Sequence, residues 1–479
     1  MHIFFDFTND TTQRAFLLDH ALQLLKEGFE VLWVDGVTVN RILSAQPFTE
    51  FLFSRTLQSK YVNLWNHISH KNSNFRFIKL FSKDFHDDAR VNFEEMPNIE
   101  ELIKHQIVIF QKDSAPCMKH SQKLVKSFRF LSYAIDTAVR RTLSEFPKAS
   151  VYVFNGRFLP EAIVASRAKE YGFKLSFIET FAIDWRDRYW IFERPVHSSE
   201  YRSEVMSRHS RNVDYQILKD VGSNWMSNRK TGVSQNFTSK MSSRYNSESN
   251  KRRKIIVFFH SSEDELVTTN LSKSPWVSQF HAIKVLKEIV LRNNEWKLVV
   301  RVHPNLSTKS IREIRKWSSF ADDISMESVE VIPYNSRVNS YDLLDQASIV
   351  VTFGSTIGVE AVLAGKISLL MSNAFHEPME ICQTVRSESE IEDLIKLCTN
   401  DCLSPSHESQ KNAYSYAYFM ATGGITLREV GRKSVGSGIT RSVYLFNGVN
   451  LSNTKLYSMS KRLEGFVRDK IIRPYTCAC

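Results

Sequence analysis

Glycine and proline are scarce in this 479-residue chain, at 16 and 12. So few chain-breaking residues exclude a collagen-like or largely disordered protein. Long apolar runs are missing as well. The apolar runs present, such as residues 255–259 and 349–351, are strand-sized and far short of the roughly 20 residues that a membrane-spanning helix needs. The opening residues Met1-His2-Ile3-Phe4-Phe5-Asp6 have neither the basic region nor the apolar stretch of a secretory signal. The expected location is therefore cytoplasmic, compatible with a peripheral position at the inner face of the membrane. Cysteine is sparse too. Cys117, Cys382, Cys398, Cys402, Cys477 and Cys479 are too few and scattered for a disulfide scaffold. The four-residue step from Cys398 to Cys402 lacks the further ligands of a zinc site, so no metal is expected. Triplets such as Asn236-Phe237-Thr238 carry no weight as glycosylation sites without secretion.

Basic residues are present in excess, 63 Lys and Arg against 52 Asp and Glu, a net charge of +11. Such a balance favours anionic partners: nucleotide phosphates, anionic lipid, acidic polysaccharide or nucleic acid. The chain is too long for one ordinary core and suits two domains. Strand-like and helical patterns alternate in both halves, which predicts an α/β fold of two doubly wound parallel sheets. In the N-terminal half the expected strands cover residues 2–5, 29–34, 151–154 and 174–178, with helices over 12–27, 119–146 and 160–171. In the C-terminal half they cover 254–259, 297–302, 329–332, 348–353 and 367–371, with helices over 277–291, 307–317, 341–346 and 356–364. Residues 227–253 are rich in Ser, Asn, Lys and Arg and end in Lys251-Arg252-Arg253-Lys254; they read as an exposed linker or mobile loop, with a basic patch as the alternative. The expected domains are thus 1–226, a linker 227–253, a second domain 254–422, and an extension 423–479 to which the sequence assigns no role.

In open α/β sheets ligands bind beyond the carboxyl ends of the strands, so the loops after the C-terminal strands carry the functional argument. The first is Phe353-Gly354-Ser355-Thr356-Ile357-Gly358-Val359-Glu360. Gly354 permits a tight turn, Ser355 or Thr356 caps the next helix, and that helix start suits a phosphate. Glu360, one turn on, could accept both hydroxyls of a ribose; the alternative is an ordinary capped helix with an exposed Glu. The second is Arg301-Val302-His303-Pro304-Asn305. Pro304 stops the strand and presents His303 at the sheet edge, where an imidazole could donate to a phosphate oxygen, or simply pack under its neighbours. The third is His260-Ser261-Ser262-Glu263-Asp264-Glu265. One of its carboxylates could act as a general base on an acceptor hydroxyl, or the acids could serve only the next helix dipole.

At these residues the sequence resembles the bacterial capsule and surface polysaccharide glycosyltransferases of the GT-B type, which have two Rossmann-like domains facing a cleft. The resembling features are Arg301-Val302-His303-Pro304-Asn305, then Tyr341-Asp342-Leu343-Leu344-Asp345 leading into Val351-Thr352-Phe353-Gly354-Ser355-Thr356, then Glu360-Ala361 with Gly365-Lys366, and, earlier, Phe154-Asn155-Gly156-Arg157 with Glu179. The resemblance covers roughly residues 150–375 and implies a donor nucleotide on the C-terminal domain. His303, Ser355 and Thr356 would contact its phosphate, with Gly354 in the turn and Arg301 supplying positive charge, and Glu360 would contact the ribose. The His-Pro and Ser-Thr pairing also resembles CMP-sugar-using transferases; in the sialyltransferases among them an acidic motif supplies the base, and Glu263 and Asp264 are its nearest match, although no glycine follows them directly. Asn155, Arg157 and Glu179 would bind the acceptor; Asn155-Gly156 alone reads as a good turn. Enzymes of this type generally need no metal or other cofactor. The expected function is transfer of a sugar from a CMP- or UDP-linked nucleotide-sugar to a glycan or lipid-linked glycan acceptor of capsule or lipopolysaccharide O-antigen. The alternatives are a polyol-phosphate transferase or nucleotide-sugar epimerase on the same fold, a catalytically inactive partner, or a basic nucleic-acid-binding protein. Against the last, the chain shows no aromatic–basic interleaving and no zinc finger, so no nucleic-acid partner is expected.

Overall fold

A computed structural model describes residues 1–7, 11–36, 63–80, 98–119, 121–180, 187–195, 197–231, 243–245, 253–264, 274–400, 403–435, 441–446 and 449–450. The chain forms two compact units, each assembled from separate stretches of sequence.

Unit 1 holds residues 1–110, 116–196 and 424–479. Its seven-stranded sheet has the spatial order β3-β2-β1-β4-β5-β6-β13. The strands are β1 (His2–Asp6), β2 (Val31–Asp35), β3 (Phe75–Lys79), β4 (Ser150–Phe154), β5 (Lys174–Glu179), β6 (Arg188–Phe192) and β13 (Ile425–Thr426). The first five run parallel; at one edge β6 pairs antiparallel with β5, and β13 pairs antiparallel with β6. Burial on both faces explains the near-continuous apolar runs Ile3-Phe4-Phe5 and Val31-Leu32-Trp33-Val34, whose side chains are at most 1 % exposed. Phe4 sits opposite Trp33 and Tyr152 in register and stacks on both rings, at 5.9 and 4.5 Å. Helices α1 (Thr11–Lys26), α2 (Ile99–Gln111), α3 (Gln122–Glu145) and α4 (Leu159–Glu170) belong to this unit.

Unit 2 holds residues 111–115 and 197–423. Its six strands are β7 (Lys254–Phe259), β8 (Trp296–Arg301), β9 (Val329–Ile332), β10 (Ile349–Thr352), β11 (Ile367–Leu370) and β12 (Gln383–Thr384). All are parallel, in the order β9-β8-β7-β10-β11-β12. The chain walks from β7 to β9 on one side, then returns to lay β10 beside β7 and walks the other way. That is the Rossmann strand order, with its switch point between β7 and β10. Unit 1 repeats the pattern with its switch between β1 and β4. Both units are therefore Rossmann-like, and the expected doubly wound α/β class is what the chain adopts. The helices of unit 2 are α5 (Ser199–Ser210), α6 (Tyr215–Lys230), α7 (Gln279–Leu291), α8 (Ile311–Ile324), α9 (Ser340–Gln346), α10 (Ile357–Leu363), α11 (Glu388–Asn400) and α12 (His407–Thr422).

The unit boundaries differ from the expected 226, 254 and 423. Helices α5 and α6, which the sequence leaves in the first half, belong to unit 2 because they pack along α12. The approach is close: a Cβ on Gly222 of α6 would stand 2.8 Å from the Tyr414 ring. The stretch after Gly423 is not a separate extension. It joins unit 1, where β13 pairs with β6 and the buried Asp19 carboxylate accepts three successive N–H groups, from Arg428, Glu429 and Val430, at 2.6–2.9 Å. A small antiparallel sheet follows, β14 (Gly431–Val435), β15 (Arg441–Phe446) and β16 (Val449–Asn450).

The expected linker is also more structured than its composition suggests. Residues 227–230 close α6, Ser243 bridges Val338, and Tyr245 is buried with its hydroxyl donating to Glu330 at 2.8 Å. Lys251, Arg252, Asn236, Glu265, Cys402, Cys477 and Cys479 lie outside the described residues. Cys117, Cys382 and Cys398 are free thiols.

Candidate functional site

Three loops leave the carboxyl ends of three adjacent parallel strands, β10, β7 and β8, so the sheet gathers them at one edge beside the switch point. After β10, Gly354 takes a φ of +93°, the left-handed conformation that admits glycine at little cost and turns the chain sharply. Ser355 is half-buried and Thr356 exposed. Thr356 occupies the cap position of α10 but makes no side-chain capping bond, and Ser355 Oγ lies 3.5 Å from the Ile357 N–H. The expected hydroxyl cap is thus weak, and Thr356 is left exposed.

Two donor-site expectations on this edge are corrected. Glu360 is 1 % exposed and its carboxylate is committed: Arg229 lies 2.8 Å from Oε1, and Tyr341 donates its hydroxyl at 2.6 Å. Burial, then the adjacent carboxylate, push the Tyr341 phenol up, so it stays a neutral donor. Glu360 therefore joins α6 to α9 and α10 inside unit 2 rather than presenting a carboxylate to a ribose. Arg301 is likewise 1 % exposed. It donates to the carbonyls of Val302, Pro333 and Ser336, and burial lowers its pKa to about 10. Its guanidinium fastens the β8 and β9 loops and is not placed to face a phosphate.

His303 is where the sequence puts it, just past the end of β8, one residue beyond Val302, and half-buried. The helix expected over 307–317 splits into a 3-10 turn, Pro304–Thr308, and α8 beginning at Ile311 with Ser310 as its cap. His303 caps the turn: its Nδ1 accepts the Asn305 N–H at 3.0 Å. The neutral ring must then carry its proton on Nε2, which makes that nitrogen a donor. Burial, with Lys309 and Arg301 adding to it, lowers the pKa to about 4, so the ring is neutral at pH 7.

The loop after β7 lies against the His-Pro turn. His260, Ser262, Glu263, Asp264, Leu306, Lys309, Glu313 and Trp317 line a small cleft between the two loops. Glu263 accepts from Gln279 at 3.1 Å, and burial raises its pKa, a direction that suits a general base working near neutrality. Asp264 differs from expectation: it is paired with Lys309 at 2.7 Å, both largely buried, so its charge is already matched. Ser310 caps α8 by accepting the Glu313 N–H at 3.1 Å, but its own N–H goes to the Lys112 carbonyl and the Glu313 carboxylate accepts from the Ser114 N–H and hydroxyl, so both residues anchor the 111–115 segment. The sequence reading gives Gln279, Lys309, Glu313, Trp317 and Arg229 no role. Only the Ser310–Glu313 capping-box spacing was open to a sequence search; the rest are brought in by other elements. Among the described residues no group of three or more His, Cys, Asp or Glu is placed to hold a metal, and no helix is long and apolar enough to cross a membrane.

In unit 1, Asn155 and Arg157, just past β4, meet Glu179, the last residue of β5. Asn155 and Gly156 both take positive φ, 60° and 79°, so the Asn-Gly turn is real. A Cβ on Gly156 would stand 2.4 Å from the Phe177 ring, which makes the glycine obligatory. The Asn155 amide donates to the Glu179 carboxylate and accepts the Arg157 N–H at 3.2 Å.

Residues 143–379, just under half of the chain, match the family described as capsule polysaccharide biosynthesis protein. That span is capsule-synthesis-like. It runs from the end of α3 through β12's approach and contains all the site residues named above except the 111–115 segment. No curated protein matches the chain. Among solved structures, the chain is similar to the beta Kdo 2,7 transferase of Thermosulfurimonas dismutans KpsC at 13 % identity, covering 68 % of this chain and 89 % of that one, TM-score 0.36. The beta Kdo 2,4 transferase of the same KpsC matches at 10 % identity, 56 % and 79 % coverage, TM-score 0.35. A trehalose 6-phosphate synthase from Burkholderia multivorans matches at 9 % identity, 88 % and 95 % coverage, TM-score 0.38.

Proposed function

We propose that this capsule-synthesis-like protein is a glycosyltransferase that takes a sugar from a CMP- or UDP-linked donor and places it on a glycan or lipid-linked glycan acceptor of capsule or lipopolysaccharide O-antigen. The observation that carries the reading is the grouping, at the switch point of the unit 2 sheet, of the Gly354-Ser355-Thr356 turn, His303 with its proton on Nε2, and Glu263 with a raised pKa. Ligands of Rossmann-like sheets lie at that point. Hydroxyl, backbone N–H and imidazole N–H donors suit a phosphate oxygen, and an incoming phosphate would draw the His303 pKa back up, making the ring a better proton donor to the departing nucleotide. Glu263 is the base of the reading, with Asp264 holding Lys309 beside it. Asn155, Arg157 and Glu179 form the acceptor site. No metal or cofactor takes part, and the protein works in the cytoplasm at or near the inner membrane face.

The test is a calorimetric or thermal-shift titration of the full chain with CMP, CDP, UDP, GDP and ADP. One nucleotide should stabilise the wild type, and His303→Ala should weaken its binding by ~1–3 kcal/mol for a lost charge-assisted contact. A flat response to all five would overturn the donor site and favour an inactive partner.

A further inference from the structure

His260 is buried at 4 % exposure directly after β7, and the sequence reading gives it no task. Its surroundings define one. Its Nδ1 accepts the backbone N–H of His303 at 3.1 Å, so the residue that follows β7 fixes the loop after β8 at its second residue. His303 sits beyond the end of β8 and its N–H has left the sheet ladder, so a side-chain acceptor must satisfy it. The His260 ring is held in turn by Trp317 of α8, 4.0 Å away between centroids. Gln279 grips the neighbouring residue, accepting the Ser261 N–H at 2.8 Å and donating to its carbonyl at 3.0 Å. Ser262 Oγ lies 3.5 Å from the Asn305 amide, a second approach between the same two loops.

We infer that His260 is a positioning residue for the donor site: as a neutral acceptor it locks the backbone of His303, and with it the His303 ring whose own Nδ1 is engaged by Asn305. The inference rests on the donor-site reading proposed above. Two features support the neutral form. An imidazolium has no lone pair at Nδ1 and could not accept the N–H. Burial, together with His303 and Lys309, holds the His260 pKa well below the ordinary value. His260 touches no donor atom in this scheme; it acts through His303.

Two substitutions separate positioning from packing. His260→Phe keeps a ring against Trp317 and removes the acceptor. His260→Asn keeps an acceptor oxygen near the place of Nδ1 and removes most of the ring. Positioning predicts that His260→Phe weakens binding of the nucleotide the wild type prefers, with CMP and UDP as the first probes, by about tenfold, the size of one lost hydrogen bond, while His260→Asn stays within about threefold. A packing role predicts the reverse order. Amide hydrogen exchange at His303 in the nucleotide-free full chain gives an independent reading: protection should drop in His260→Phe and persist in His260→Asn. Unchanged protection in His260→Phe, or equal loss in both variants, would overturn the inference. If none of CMP, CDP, UDP, GDP and ADP binds the wild type while the exchange pattern holds, the lock between the loops stands and the donor-site reading fails.

Discussion

At the residue scale, burial decides which polar groups are spent on structure and which remain for chemistry. Glu360 and Glu263 look equivalent in the sequence, each a carboxylate shortly after a buried strand. Glu360 is matched by Arg229 and Tyr341. Glu360→Ala should therefore destabilise the fold by about 3 kcal/mol or more, because a largely buried guanidinium loses its partner. Urea denaturation would read this, and nucleotide affinity should change little at temperatures where the variant is folded. Glu263 accepts its side-chain hydrogen bond from a neutral amide, Gln279, and burial outweighs the nearby Lys316 charge. Glu263→Gln should slow turnover by about 100-fold or more, as expected for a lost general base, with little effect on donor binding. Steady-state kinetics with the identified donor would show a kcat effect; a pure KM effect would remove Glu263 from the base role.

At the scale of elements, strands announce themselves and helix partners do not. The apolar runs of β1, β7 and β10 are buried on both faces and need no partner to be recognised. Helices α5, α6 and α12 carry more mixed patterns, and their association is settled by close packing. At Gly222 the α6 backbone lies close against Tyr414 and Ala417 of α12, so Gly222→Val should force the Tyr414 ring or the helix axis to move. A cost of about 1–3 kcal/mol is expected for such overpacking, visible as a lower Tm. An unchanged Tm would mean that α6 and α12 do not meet at this glycine.

For the whole molecule, buried ionisable groups set opposite slopes of stability against pH. His20, His303 and His376 are held at about 4, all chiefly by burial, and His260 is shifted the same way. Unfolding releases these rings to bind protons near 6.5, so stability is full above that pH and is lost as the pH falls toward 4. Glu161 works in the other direction. It is 3 % exposed, its Oε2 has no hydrogen-bond partner among the described residues, and burial raises its pKa to about 8. Its contribution is complete below the ordinary value near 4.5 and is lost as the pH rises through about 8. Glu161→Gln should be more stable than the wild type above pH 8 and no more stable below pH 5, measured by denaturation across pH. Equal pH profiles for the two proteins would show that Glu161 is already ionised or solvated.

The sequence by itself determined the α/β class, the strands of both sheets' centres, and the three loops worth inspecting, because apolar runs, periodicity and Gly or Pro punctuation are local signals. It also placed His303, Ser355 and Thr356 at a strand's carboxyl end, since Pro304 and Gly354 end their strands wherever the sheet lies. Only the tertiary structure decided that Arg301 and Glu360 are structural, that Asp264 belongs to Lys309, that α5 and α6 join unit 2, and that the chain after Gly423 completes unit 1. Each of those outcomes depends on a partner that is remote in sequence or that another element brings in: Glu360 meets Arg229, Asp264 meets Lys309, and Asp19 meets Arg428, Glu429 and Val430. A charged side chain looks the same in sequence whether it faces water, a ligand or a buried counter-charge, and the difference arises only when folding removes the water.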